Sequence, residues 1–256
     1  RVLKEYFSIE NNEGIKLPHE ITKERFSNLK YQIDAIQQSI NILSRHNGVI
    51  IADVVGLGKS IIASTIAHNM KLDAIVIAPP HLVKQWDDYR YDFKFNAKVY
   101  SSGMIEQALN EGEGDSEKLI IIDEAHKYRN EETADYALLH RLCQGNKVML
   151  LTATPFNNDP KDIFSMIKLF QIPAKSTIQT IDSLSIRFKS LIKEYKEIKK
   201  FQRDGSLAGE DLRDRINNLA DQIRDLLSPL IIRRSRLDLA AIKTYKEDLD
   251  QQGIAF

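Results

Sequence analysis

The chain has 256 residues, and its 36 lysines and arginines are balanced by 36 aspartates and glutamates. This length suits one large α/β domain with an insertion, or two small domains. The even charge balance excludes a protein that attracts a polyanion through bulk positive charge, so any nucleic-acid contact has to be local. The single cysteine, Cys143, excludes an internal disulfide and a cysteine metal cluster, and it indicates a reducing compartment.

The sequence carries no sign of a membrane or secretion signal. No apolar run is long enough to span a bilayer, and the first ten residues lack an apolar stretch. We therefore expect a soluble intracellular protein with no membrane partner, cytoplasmic if bacterial and nuclear if eukaryotic. The chain begins at Arg1 and stops at Phe256 without the marks of natural ends, so we expect it to be a piece of a longer protein.

Short apolar runs alternate with helical patterns over the first two thirds of the chain. The runs are Val49–Ala52, Ala74–Ala78, Ala97–Tyr100, Leu119–Ile122 and Lys147–Leu151. The alternation predicts an α/β fold, with a parallel sheet covered by helices on both faces. Ligands of such sheets bind at the carboxyl ends of the strands, so functional residues are expected directly after the runs.

A glycine-rich loop follows the first run and precedes a helical pattern. Gly56 and Gly58 would let backbone N–H groups point at a phosphate, helped by the dipole of the following helix. Lys59 would reach the β and γ phosphates, and Ser60 would offer its hydroxyl to Mg2+. The first glycine of the general phosphate-loop pattern is replaced by Asp53. Taken alone, the stretch could therefore also be a turn that begins a surface helix.

Two adjacent carboxylates follow the apolar run Leu119–Ile122. Asp123 is placed to hold the Mg2+ that bridges nucleotide phosphates, and Glu124 to orient and deprotonate the attacking water. A phosphate loop followed by an acidic strand end is the order that nucleotide hydrolases need. The second motif therefore favours the phosphate-loop interpretation of the first.

The pattern changes after about Pro173, where long helical stretches replace strands. Two apolar stripes repeat at helical spacing: Leu184, Phe188, Leu191, Tyr195, Ile198, and Leu212, Ile216, Leu219, Ile223, Leu226. A turn at Asp204-Gly205-Ser206 lies between them, and Ser228-Pro229 closes the second. The segment predicts an antiparallel helical hairpin packed stripe to stripe.

The first hairpin helix is the one strongly basic stretch. Its cations are Arg187, Lys189, Lys193, Lys196, Lys199, Lys200 and Arg203. They could contact phosphates, but charge on a helix usually meets water, and acidic residues of the second helix could neutralise them. We interpret the stretch as a solvated face, with phosphate contact as the alternative.

Three motifs in order carry a resemblance to a known family. Asp123-Glu124-Ala125-His126 is similar to the second motif of the superfamily-two helicase-like ATPases, and Leu151-Thr152-Ala153-Thr154-Pro155 resembles their third. The continuation Pro155-Phe156-Asn157-Asn158 resembles the Swi/Snf type. The first motif of that type commonly reads Ala-Asp-x-x-Gly-Leu-Gly-Lys, so Asp53 is normal for it.

The resemblance implies roles for further residues. The nucleotide-binding set would be Gln32, Asp53, Gly56, Leu57, Gly58, Lys59, Ser60 and Ile61, with Gln32 reading adenine. His126, Thr152, Ala153 and Thr154 would couple the nucleotide site to nucleic acid. Pro79, Pro80 and Lys84 would touch the nucleic-acid backbone, whereas Trp86 is expected in the core.

By the same resemblance, residues 1–172 form the first RecA-like lobe, with an N-terminal helical segment. Residues 173–229 form a helical-hairpin protrusion, and residues 230–256 return toward a second lobe. The arginine-rich stretch Ile231 to Arg236 fits that exit, or is a basic strand end that merely meets water.

The implied function is coupling of ATP hydrolysis, with Mg2+, to translocation on double-stranded DNA. The alternatives are a strand-separating DNA or RNA helicase and a nucleotide-gated binding module. The second lobe of the same parent chain would supply arginines to the γ phosphate, so this chain alone is expected to bind ATP weakly and hydrolyse it barely.

Overall fold

The computed structural model describes residues 14–114, 116–155, 159–173, 176–178, 183–205 and 209–254. In chain order the elements are α1 (Pro18–Ile21), α2 (Lys30–His46), β1 (Gly48–Ile51), α3 (Lys59–Met70), β2 (Ala74–Ala78), α4 (Val83–Asp92), β3 (Ala97–Ser101), α5 (Ile105–Gly112), β4 (Leu119–Ile122), α6 (Ala134–Cys143), β5 (Lys147–Leu151), α7 (Pro160–Lys168), α8 (Leu184–Asp204), α9 (Gly209–Leu227), β6 (Ile231–Ile232), α10 (Arg236–Ala241) and α11 (Lys243–Gln251). Short 3-10 helices cover Pro80–Leu82 and Ala125–Tyr128.

The six strands of the described residues form one parallel sheet in the order β3-β2-β4-β5-β1-β6. Alternate residues of each strand point to opposite faces, so Ile50 and Ile120 enter one core while Val49 and Ile121 enter the other. Helices α5, α6 and α7 cover the first face, and α2, α3 and α4 cover the second. The five predicted strands and the sheet sandwiched by helices are confirmed.

The sixth strand comes from the arginine-rich stretch near the end of the chain. Ile231 and Ile232 pair with Ile50 and Ile51 of β1, so β6 lies beside the strand that leads into the glycine-rich loop. Helices α10 and α11 then pack on α2, where Leu239 joins a small apolar cluster. Residues 230–254 are therefore part of the packed body of this domain, and a continuation of the chain to a second lobe stays a prediction.

The predicted helical hairpin is confirmed as α8 and α9. Their apolar stripes join the core on the α7 side of the sheet, where the rings of Phe164 on α7 and Phe188 on α8 stack with centroids 3.5 Å apart. Ile216 is the exception in the second stripe, with 36% of its surface exposed. Of the predicted turn, Ser206 lies outside the described residues.

Local sequence explains where the hairpin and its supporting helix begin. The side chain of Asp159 caps α7 by accepting a hydrogen bond from the Lys161 backbone, and Pro160 follows at the first helical position. Ser183 caps α8 in the same way through Ile186 N. Within the described residues, no helix is both long and apolar enough to cross a membrane.

Candidate nucleotide-binding site

The glycine-rich loop connects the carboxyl end of β1 to the first turn of α3. Gly56 has φ +90° and Gly58 has φ +76°, a left-handed conformation that costs glycine little. Gly58 is the N-cap of α3, which begins at Lys59 and continues through Ser60 and Ile61. The first N–H groups of a helix have no partner within the helix and carry partial positive charge, so this turn is suited to an anion such as a phosphate.

The space beside Gly58 is filled by the side chain of Gln32. A Cβ atom at position 58 would lie 2.4 Å from Gln32 Nε2, and the positive φ adds strain for any other residue. We therefore expect Gly58→Ala to weaken ATP binding by tenfold or more, because either the loop or Gln32 has to move. Gly145→Ala is the matched control, since Gly145 also has a positive φ, but a Cβ atom there would meet no described atom within 4 Å.

Titration with a fluorescent ATP analogue measures the loss of nucleotide affinity, and thermal unfolding measures the loss of stability caused by backbone strain. Both variants should lose about 1–2 kcal/mol of stability through backbone strain, whereas only Gly58→Ala should lose nucleotide affinity. Equal affinity in the two variants would show that the contact with Gln32 does not shape the loop.

Gln32 and Tyr31 hold the loop from the side of α2. Gln32 is 3% exposed, and its Nε2 donates to the Tyr31 hydroxyl and to the Leu57 carbonyl, both at 3.3 Å. The Tyr31 hydroxyl donates to the same carbonyl at 3.3 Å, and burial raises the pKa of Tyr31, which keeps it a neutral donor. The side chain of Gln32 thus lies on the loop, and its proposed reading of adenine stays a prediction.

Lys59 lies folded along the loop. Its Nζ donates to the carbonyl of Asp53 at 2.9 Å and to that of Val54 at 3.4 Å. Burial lowers the pKa of Lys59, and the negative charges of Asp53, Glu124 and Asp123 oppose that shift. The acidic strand end is therefore close enough to act on this lysine. This follows from the topology, because β5 alone separates β1 from β4.

The carboxylate of Asp53 is held by an arginine from the far end of the chain. Asp53 is fully buried, and its Oδ2 accepts from Arg234 Nη2 at 2.5 Å while its Oδ1 accepts from Arg234 Nε at 3.2 Å. The backbone N–H of Arg234 also donates to Oδ1 at 2.8 Å, and the guanidinium donates to the Tyr31 carbonyl. Through this bidentate ion pair and the contact with Tyr31, Arg234 connects the end of β1, the segment after β6 and the start of α2.

Sequence reasoning placed Asp53 in the nucleotide-binding set and missed Arg234 as its partner. Of the two interpretations of the arginine-rich stretch, the solvated one is wrong for Arg234, which is 8% exposed, whereas its neighbours Arg233 and Arg236 are exposed. One feature of the sequence could have indicated this pairing. A carboxylate at the end of a buried strand needs a cation, and Arg234 closely follows two apolar residues that are typical of a strand.

Asp123 lies at the carboxyl end of β4 with 7% of its surface exposed. Its Oδ2 accepts from Trp86 Nε1 at 2.9 Å, and its Oδ1 accepts from the Glu124 backbone at 2.9 Å. Burial raises the pKa of Asp123, and these two hydrogen bonds oppose the rise by stabilising the charged form. Trp86 is 1% exposed, which confirms its place in the core, but its role in orienting this carboxylate was missed.

The side chains of Ser60 and Asp123 carry ligand atoms that are suited to a magnesium ion. Both offer oxygen, the ligand that Mg2+ prefers, and the carboxylate of Asp123 is already oriented by its two donors. Among the described residues, no group of three or more histidine, cysteine or acidic side chains could hold a metal by itself. Mg2+ usually takes one or two protein ligands and completes its shell with water and substrate phosphates, so Ser60 and Asp123 are sufficient in number.

Glu124 has a left-handed backbone, with φ +52° and ψ +46°, which is uncommon for a residue with a side chain. Its Oε2 lies 3.1 Å from His126 Nδ1, and the same nitrogen lies 3.4 Å from Thr152 Oγ1 at the end of β5. Thr152 Oγ1 in turn accepts from the backbone of Thr154 at 3.1 Å, across Ala153. A chain of contacts thus joins the acidic motif to the third motif, and its coupling role stays a prediction.

The residues predicted to touch nucleic acid follow β2 at the same edge of the sheet. Pro79 is buried, whereas Pro80 and Lys84 are exposed. Their contact with nucleic acid stays a prediction. Of the Swi/Snf-like continuation of the third motif, Phe156-Asn157-Asn158 lies outside the described residues.

Together these features define the class of the protein. A parallel α/β sheet with a phosphate loop after β1, and with acidic residues after β4 across an intervening strand, is the RecA-like arrangement of a P-loop nucleotide-binding domain. A family model described as the SNF2-related domain matches residues 107–249. The chain therefore belongs to the family of the SNF2-related domain.

Individual relatives agree with the family. The chain is 27% identical over 192 residues to the uncharacterized ATP-dependent helicase YqhH of Bacillus subtilis, a match over 66% of this chain and 33% of the relative. It is 28% identical over 186 residues to SWI/SNF-related matrix-associated actin-dependent regulator of chromatin subfamily A-like protein 1 of Xenopus laevis, over 64% of this chain and 19% of the relative. The chain thus spans a third or less of these two proteins.

A solved structure has the same fold. The Sulfolobus solfataricus SWI2/SNF2 ATPase core in complex with dsDNA superposes with a TM-score of 0.65 at 21% identity, over 90% of this chain and 48% of that chain. The RecA-like expectation for the fold is therefore confirmed.

Proposed function

We propose that this domain binds ATP with Mg2+ as the first lobe of a motor that couples ATP hydrolysis to movement along double-stranded DNA. One observation carries the nucleotide part of the proposal: the loop with Lys59 follows β1 and the Asp123-Glu124 pair follows β4, at the same edge of the sheet and one strand apart. The two motifs are far apart in sequence, and a nucleotide phosphate with its cation requires a lysine and a carboxylate pair to converge in this way.

Each side chain has a role that its position supports. The N–H groups at the start of α3 and Lys59 would hold the phosphates, and Ser60 and Asp123 would hold Mg2+, which screens the phosphate charge when bound. Glu124 would orient the attacking water and accept its proton. Its left-handed backbone is uncommon for a residue with a side chain, and strained conformations of this kind cluster at functional positions. His126 would position the Glu124 carboxylate and would link it to the third motif through its contact with Thr152.

A second lobe is part of the proposal. The curated relatives are several times longer than their match to this chain, which leaves room for a second lobe that supplies arginines to the γ phosphate. Such arginines raise hydrolysis rates by about 10³–10⁵-fold in related enzymes. We therefore expect the chain alone to bind ATP weakly and to hydrolyse it very slowly.

Duplex DNA is proposed as the substrate because the solved SWI2/SNF2 core is described in complex with dsDNA. The hairpin α8–α9 supports the Swi/Snf type over a conventional strand-separating helicase. A module that uses ATP only as a binding switch does not need a water-activating carboxylate, so Glu124 speaks against it. An intracellular location, cytoplasmic or nuclear, follows from a DNA substrate.

Steady-state ATP hydrolysis by the protein that carries both lobes tests this proposal. The measurement compares duplex DNA, single-stranded DNA, RNA and no nucleic acid, with Lys59→Ala as the control. We expect strong stimulation by the duplex that disappears in Lys59→Ala. Preference for single strands would favour the strand-separating helicase, and an absence of hydrolysis under every condition would leave the binding module.

A further inference from the structure

A basic groove lies along the exposed side of the second half of α8. It has a volume of about 510 Å³ and is lined by Asp159, Tyr195, Lys196, Lys199, Lys200 and Arg203. The four cations are spaced as neighbours on successive helical turns, so they form one row on one side of α8. We call this the α8 groove.

The positive charge of the α8 groove is not neutralised within the described part of the domain. Among the described residues, none of its four cations lies within 4 Å of a carboxylate, and the α9 acids do not pair with them. Lys199 Nζ instead lies 5.4 Å from the centre of the Tyr195 ring. The carboxylate in the lining is that of Asp159, and it accepts the hydrogen bond from Lys161 N that caps α7. The acidic residues of α9, which could have neutralised the basic face, thus form no ion pair with these four cations among the described residues.

The groove lies near the edge of the sheet that carries the nucleotide site. Asp159 is five residues beyond Thr154 of the third motif, and five residues span at most about 17 Å. The stacked rings of Phe164 and Phe188 fix α8 against α7, so the cations cannot move far from that motif. A polyanion in the groove would thus lie a few residues along the chain from the third motif, in which Thr152 contacts His126.

We propose that the α8 groove binds the phosphodiester backbone of double-stranded DNA. This inference rests on the proposed function and adds a contact surface on the hairpin. The row from Lys196 to Arg203 rises about 10.5 Å along the helix. One strand of duplex DNA presents a phosphate about every 3.4 Å along the helix axis, so roughly three phosphates of one strand span a row of this length. Long lysine and arginine side chains can follow such a backbone without reading its sequence.

The salt dependence of duplex binding tests this contact. We use fluorescence anisotropy of a labelled duplex with the protein that carries both lobes, without nucleotide, over a series of salt concentrations. The test variant combines Lys196→Gln, Lys199→Gln and Lys200→Gln. The control combines Arg213→Gln, Lys243→Gln and Lys246→Gln, which removes the same charge from exposed positions outside the groove.

The expected result is a slope of log affinity against log salt that is shallower by up to about 2.7 in the test variant, or about 0.9 for each lost phosphate contact. The control should keep the slope of the unchanged protein. A variant with arginine at positions 196, 199 and 200 should also keep that slope, because the charges remain. ATP binding without DNA should be unaffected in every variant.

The outcomes separate the inference from the proposed function. An equal slope for the test variant and the control would overturn the groove as a DNA contact while leaving the motor intact. A shallower slope with single-stranded but not double-stranded DNA would overturn the choice of duplex. If the unchanged protein binds no DNA, then the DNA part of the proposed function fails, and the inference fails with it.

Discussion

Glu124→Gln is expected to lower the rate of ATP hydrolysis at least 100-fold while leaving ATP affinity nearly unchanged. An amide of the same shape cannot accept the proton of the attacking water, and a positioned general base is worth about 10²–10⁴-fold. Binding should survive because Glu124 is neither part of the phosphate loop nor the predicted Mg2+ ligand. The left-handed backbone at this residue does not depend on the side-chain charge, so the local structure should persist.

Single-turnover hydrolysis and nucleotide titration by the protein with both lobes measure the two quantities separately. Glu132→Gln is a suitable control, since Glu132 is an exposed glutamate a few residues beyond the same motif. It should hydrolyse ATP at the normal rate. Retention of hydrolysis in Glu124→Gln would assign water activation to another group.

Arg234→Met is expected to destabilise the domain by about 3–5 kcal/mol, which is the usual cost of removing one partner from a buried ion pair. Asp53 is fully buried, and no other cation contacts its carboxylate among the described residues. The loss would also free the Tyr31 carbonyl and the start of the glycine-rich loop. ATP affinity should therefore fall together with stability.

Urea unfolding gives the stability change directly. Arg233→Met is the matched control, because Arg233 is the preceding residue and is exposed. It should change stability by no more than about 0.5 kcal/mol. The double variant Asp53→Leu with Arg234→Met should recover part of the loss, since it leaves no buried charge unpaired. Equal effects of Arg233→Met and Arg234→Met would mean that the buried pair contributes nothing to stability.

The strands, the phosphate loop and the acidic pair could be predicted because their signals are local. Apolar runs such as Leu119–Ile122 and the residues that follow them are read within a few positions of one another. Even their convergence could be expected, since the carboxyl ends of parallel strands share one edge. The hairpin was predictable for the same reason, from its helical spacing and the turn at Gly205.

The polar partners of these residues were not predictable in the same way. Trp86 was correctly assigned to the core, yet the hydrogen bond from its N–H to Asp123 depends on how α4 packs against the sheet over β2 and β3. Arg234 reaches Asp53 across 181 residues of sequence because β6 pairs with β1. A two-residue strand at the edge of a sheet carries too little periodicity to be recognised without its neighbour.

By itself, the sequence determined the class of fold, the phosphate-binding motif and the carboxylates that accompany it, because short-range patterns encode each of them. Only the tertiary structure decided which charges meet. It paired Asp53 with Arg234, and among the described residues it left the cations of the α8 groove without acidic partners, although the chain as a whole is neutral. Ion pairs and hydrogen bonds form only between groups a few ångströms apart in space, and distance along the chain carries almost no information about which groups these are.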